Sequence, residues 1–237
     1  MKYSNDNVVK FLIDAAPFTV GSINLNGNSP LHLALQCGRS LQVIQELVNA
    51  QPLAVFIRNN HDETPLDIFF HQMYDDVKMF MDNLPKDYNP NEIMQMNIHS
   101  SSFRNKVLKI RDIYEITCLL LKASNIENIP RNQPWLALHA ALKTSSCPWV
   151  FCEFISRMHP DQISMLDDEG NPSIVLAACN THPWDDSEQK LQSLFTLVAE
   201  NPAFCSNISS ELIRDNVQVR SKGRQTISRK YSIIAKQ

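Results

Sequence analysis

The sequence predicts an all-α chain, a solenoid of about 4–5 irregular helix-turn-helix repeats with an insert in the second full one. Two regularities lead there. Proline recurs just after an apolar stretch, at Ala16-Pro17, Gln51-Pro52 and His159-Pro160, and fourteen residues past each proline stands an apolar residue, Leu31, Leu66 or Ile174. A few positions ahead of each proline lies another, Leu12, Leu47 or Phe154. Leu197 with Asn201-Pro202 gives a fourth, partial copy. The second regularity is the segment Gly27-Asn28-Ser29-Pro30-Leu31-His32-Leu33-Ala34, which returns as Asp62-Glu63-Thr64-Pro65-Leu66-Asp67-Ile68-Phe69. Weaker copies run over 134–141 and 170–177.

Each element has a local reason. Ser4 to Ala16 reads as the second helix of a unit whose first helix is absent, either capping the stack or continuing a longer array. Ser29 and Thr64 suit helix N-caps, and Pro30 and Pro65 fit a first turn where no amide partner is needed. Leu31 and Ala34, like Leu66 and Phe69, then share one helical face. Val43-Ile44 and Leu47-Val48 make the returning helix of the first full unit. The second unit opens with a helix near 65–73, and its partner is expected near 104–123, because Leu119 precedes Leu138 by the interval that separates Leu47 from Leu66. Between them lies the insert, about 74–102, a loop or a degenerate extra repeat. The third start lacks a capping residue at Leu136-Ala137, and the fourth has Pro172-Ser173 in reversed order. The repeat region is placed at 1–205. Residues 206–237 are expected to be a basic, disordered tail.

This pattern resembles the ankyrin repeat. The copy at 24–58 is nearest, with Gly27, Ser29-Pro30-Leu31-His32, Ala34, Gly38, Val43-Ile44 and Leu47-Val48. Units ending in X-Pro resemble a divergent branch of the family more than the common Gly-Ala-Asp ending. The resemblance implies a protein partner held on a concave face of turn tips and first helices. It assigns to that face Asn26, Asn28, Gln36, Asn60, His61, Glu63, His71 and Gln72 in the first two units. In the later units it assigns Trp135, Lys143, Thr144, Glu169 and Asn171, with Trp135 as an anchor or as a plug at the join beside the insert. His32 and His139 fall on the motif's histidine, which in the family ties neighbouring turns together.

Composition excludes other chemistry. Five glycines in 237 residues, none clustered, leave no phosphate-cradling loop. No apolar run approaches a membrane span, and Val8 to Asp14 is too charged for a signal peptide. Six cysteines without framework spacing suit reduced thiols in an intracellular, cytoplasmic or nuclear protein. Net charge is −3, divided into −9 over residues 1–213 and +6 over 214–237. The body therefore repels nucleic acid, and only the tail could bind an anionic surface.

Cys147, Cys152, Cys179 and His182 have loose zinc-like spacing, and Cys147 with His139 or Cys179 with His182 could form a thiol–base pair. The repeat frame puts those thiols inside helices, where cysteine behaves as a small hydrophobe. The expectation is a monomeric, non-catalytic scaffold without metal or cofactor. Its rivals are a thiol- or metal-dependent enzyme and a tail that binds anionic surfaces.

Overall fold

The computed structural model describes residues 6–84, 101–125 and 135–179. All lie in Met1–Phe195, the first of the chain's two units; the second, Thr196–Gln237, lies outside the described residues, and with it the basic tail. Eight α-helices follow in order: α1 Asp6–Ala15, α2 Pro30–Gln36, α3 Leu41–Ala50, α4 Pro65–Asp82, α5 Ser101–Ser124, α6 Ala137–Lys143, α7 Trp149–Met158 and α8 Ser173–Cys179. No strand occurs among the described residues. The all-α expectation holds.

The recurring proline marks one specific event. A residue before proline is pushed out of the helical region, and Ala16, Gln51 and His159 share φ of −146°, −145° and −133°. Each ends α1, α3 or α7. The proline then opens a short 3-10 turn, over Pro17–Gly21, Pro52–Phe56 and Pro160–Ile163. Those turns redirect the chain toward the next first helix and bury Val20, Ala54, Val55 and Ile163 beneath it.

The helix starts follow the predicted caps. Ser29 Oγ accepts from the His32 N–H and Thr64 Oγ1 from the Asp67 N–H, while the His32 and Asp67 side chains accept from the N–H of Ser29 and Thr64. Two orphan donors are satisfied at each end. At α6 the cap position is Leu136 and no side chain caps it, as its sequence implied.

One length differs from expectation, that of α4, while α5 falls where its spacing placed it. The first helix of the second unit runs on from residue 73 to Asp82, because Phe69, Phe70, Met73, Val77, Phe80 and Met81 keep a helical period. Its partner α5 spans 24 residues. Residues 74–82 of the expected insert thus extend α4; residues 85–100 lie outside the described residues.

These long helices change the stacking. In the first two units, α2 packs on α4 and α1 on α3, first helix to first and second to second. The second row continues from α3 to α5. The third hairpin is seated the other way. Its second helix α7 packs on α4, and its first helix α6 packs on α5 before continuing to α8. The rows therefore run α2–α4–α7 and α1–α3–α5–α6–α8. Aromatic rings fill the seam: Phe70 on Phe151 at 4.7 Å between centroids, and Phe154 edge-on to both Phe80 and Tyr114 at 6.0 Å.

A candidate binding surface built from three congruent turns

Ahead of α2, α4 and α8 the chain makes the same turn three times. Asn24, Asn59 and Asp167 each stand seven residues before an aligned apolar residue (Leu31, Leu66, Ile174). The Oδ1 of each accepts two backbone N–H groups, two and four residues on. Asn24 takes Asn26 and Asn28 at 2.9 and 3.0 Å, Asn59 takes His61 and Glu63 at 2.9 and 3.0 Å, and Asp167 takes Glu169 and Asn171 at 3.0 and 2.7 Å. Such Asx bonds substitute for a missing backbone ladder. Each turn also places its fourth residue at positive φ: Gly27 at 75°, Asp62 at 62°, Gly170 at 79°. Sequence reasoning missed these three Asx residues, although their shared distance from the aligned apolar position was readable.

The first two turns are tied to each other. Asn59 Nδ2 donates to Asn28 Oδ1 at 3.1 Å, the Asn60 N–H to Asn26 O at 3.0 Å, and Asn60 Nδ2 to Leu25 O at 3.0 Å. Gly27 sits where they touch: a Cβ there would come 2.7 Å from Asn60 Oδ1 and 2.8 Å from Asn60 N. At Gly170 the same Cβ would meet open space. Gly27→Ala is therefore expected to cost clearly more than Gly170→Ala, about 3 kcal/mol against about 1, in urea unfolding. Equal costs would show that the contact between turns carries no stability.

His32, fully buried, fastens the turns from below. Its Nδ1 accepts from the Ser29 N–H at 3.1 Å, so Nε2 carries the proton it donates to Glu63 O at 3.1 Å. His139 repeats the second bond, donating from Nε2 to Met165 O at 3.1 Å. With no capping side chain at Leu136, its Nδ1 is buried without a partner.

The predicted site residues sort accordingly. Asn26, Gln36, Asn60, His61, His71 and Gln72 are exposed on the first two units, where Gln72 Nε2 bonds Gln36 O and His71 lies 3.6 Å from the Glu63 carboxylate. Asn28 is buried, a strut between turns rather than a displayed group. Leu25, which sequence reasoning passed over, is almost wholly exposed beside them at 99%. Lys143, Glu169 and Asn171 form a second cluster around Asp167: Lys143 Nζ is 3.0 Å from Asp167 Oδ2, and Asn171 Nδ2 bonds Glu169 Oε2 at 3.1 Å. Thr144 caps α6, its Oγ1 donating to Ala140 O. Trp135 is half-buried and lines a cleft of about 400 Å³ with Leu41 and Gln45 of α3, Tyr114, Cys118 and Leu119 of α5, and His159. That cleft lies along the second helices, so the exchanged seating separates Trp135 from the tips around His61.

Burial holds His32, His139 and His159 below the ordinary imidazole value, against the opposing pull of nearby carbonyls or acids. Burial would raise Asp167, but the Asn171 N–H and Lys143 outweigh it and leave it below the usual carboxylate range. Both shifts have the same sign for folding: the unfolded chain binds protons more readily. The histidine contribution is complete above the unfolded value of about 6.5 and is lost as pH falls through the folded values. Stability measured by urea unfolding should thus decline from pH 7 toward pH 5, with a shallower decline in His139→Gln. A flat profile over that window would refute the argument.

Burial pushes the Cys118 thiol up to about 11, against the bond from Tyr114. Cys147 and Cys152 are buried 3.8 Å apart, sulfur to sulfur. Among the described residues no three His, Cys, Asp or Glu groups gather to hold a metal; His182 lies outside them.

Congruent turns, antiparallel helix pairs and a histidine bonding one turn to the next define a stacked helix-hairpin repeat protein. The ankyrin repeat family model matches residues 26–60, the unit between the first two turns. A relative, an ankyrin repeat protein of Acanthamoeba polyphaga mimivirus, is 27% identical over 113 residues, covering 45% of this chain and 6% of that protein. No solved structure matches. Residues 26–60 of the chain thus match an ankyrin repeat. Such repeats are protein–protein interaction modules, and the family is generally non-enzymatic. Among the described residues, no helix is long and apolar enough to cross a membrane.

Proposed function

We propose that the chain is a non-catalytic scaffold that holds a protein partner on the turn tips and first helices of its first two full units. The observation that carries this reading is the bonded pair of turns. It fixes Leu25, Asn26, Asn60 and His61 at the surface before any partner arrives, with exposed Gln36, His71 and Gln72 beside them. A backbone held in place beforehand loses little entropy on association. Leu25 supplies apolar area, and the polar groups around it supply orientation. The cluster at Lys143, Glu169 and Asn171 belongs to a second surface, formed by the end of α6 and the turn before α8.

The test is quantitative affinity capture with the wild type, a Leu25→Asp/His61→Ala double variant and Trp135→Ala. The tip variant should lose partner at least about tenfold, the loss expected when a central anchor is removed. Trp135→Ala and deletion of 214–237 should leave capture intact. Full retention by the tip variant refutes the reading; loss only on deleting the tail moves binding to that segment.

A further inference from the structure

We propose that Cys147 and Cys152 form an oxidisable dithiol, a modification site that takes a small disulfide as its co-reactant and locks the entry to α7. Pro148 is the N-cap of α7, so Cys147 stands at the position before the cap and Cys152 at the fourth helical position. An apolar pair at those two positions staples the chain to the first helical turn. Here both members are sulfurs, 3.8 Å apart, with 0% and 1% of their surface exposed. In the reduced protein they act as that apolar clasp. Bonding requires the sulfurs to close from 3.8 Å to about 2.05 Å, through the side-chain torsions and the first turn of α7.

The step balances. One protein thiolate attacks a sulfur of the small disulfide and expels one small thiolate, giving a mixed disulfide. The other protein thiol, once deprotonated, attacks the protein sulfur of that mixed disulfide and expels the second. Both protein sulfurs are oxidised, the small disulfide is reduced to two thiols, and the two protons released by the protein end on those thiols. Because the sulfurs are sealed from solvent, exchange proceeds when the start of α7 opens. The product then holds closed the helix whose Phe151 and Phe154 seat against α4.

The experiment equilibrates the full chain with glutathione disulfide and reduced glutathione, quenches in acid, and maps tryptic peptides. Thr144–Arg157 is a single tryptic peptide holding both thiols and no other cysteine. It should appear lighter by two hydrogens, and its disulfide fraction should exceed that of the same chain in guanidinium by about tenfold in equilibrium constant. Cys147→Ser and Cys152→Ser should each abolish the mass change. If a variant fails to fold, the native-to-unfolded comparison on the wild type still decides. Recovery of both thiols as alkylated cysteines, pairing of either with another cysteine, or a native-to-unfolded ratio at or below one would each overturn the proposal.

Discussion

Phe154→Ala is expected to lower stability by about 3–5 kcal/mol, the range for removing a fully buried phenylalanine. The loss should also be uneven. Phe154 stands at the seam, edge-on to Phe80 of α4 and Tyr114 of α5, so it touches both helices on which the exchanged hairpin sits. In a repeat array each unit is held by its neighbours, and weakening one interface lets the terminal side open separately. Amide exchange should accelerate across α6, α7 and α8 while α2 and α3 keep their protection. A uniform rise over all helices would mean that the seam is no weaker than any other interface. A cost below about 1 kcal/mol would mean that the ring is not buried as described.

His32→Ala is expected to cost about 2–4 kcal/mol in urea unfolding, by two mechanisms together. It empties a fully buried volume, and it removes the acceptor for the Ser29 N–H and the donor to Glu63 O. Leu33→Ala, one residue along the same helix but 39% exposed, is the control and should cost less than about 1 kcal/mol. The partner surface should suffer with the histidine, because Glu63 O belongs to the turn that displays His61. If the two substitutions cost the same, neither the buried ring nor its hydrogen bonds contribute to stability.

Much of this architecture was legible in residue spacing. The proline interval located all three 3-10 turns, because the block that proline places on the preceding residue is a local effect and needs no tertiary context. Ser29 and Thr64 announced their helices for the same reason. Leu12 is the exception. It matches Leu47 in position but is 57% exposed, since burial depends on what packs alongside and not on register. The exchanged seating of the third hairpin was not legible at all. It follows from two helices of 18 and 24 residues meeting hairpins built from helices of 7 and 10, a property of shape rather than of any motif. Hence Trp135, expected either as an anchor among the tips or as a plug at the join beside the insert, lies on the cleft along α3 and α5. The turn residues were half legible: His61 and Asn60 through the repeat frame, Asn59 and Asp167 only once their bonds were seen.

The crossed rows also dictate an order of assembly. Asn28 and Asn59, which join the first two full units, are 31 positions apart, whereas Phe70 and Phe151 are 81 apart. Closing the longer loop costs more chain entropy before any contact repays it, and distant contacts form slowly. During synthesis the amino-terminal hairpins can dock while α7 is still inside the ribosome, leaving Phe70 and Phe80 uncovered until that helix emerges. In the row α2–α4–α7, the last event is therefore the seating of α7. The nascent chain is most exposed to misassembly in the interval between the completion of α4 and the arrival of Phe154.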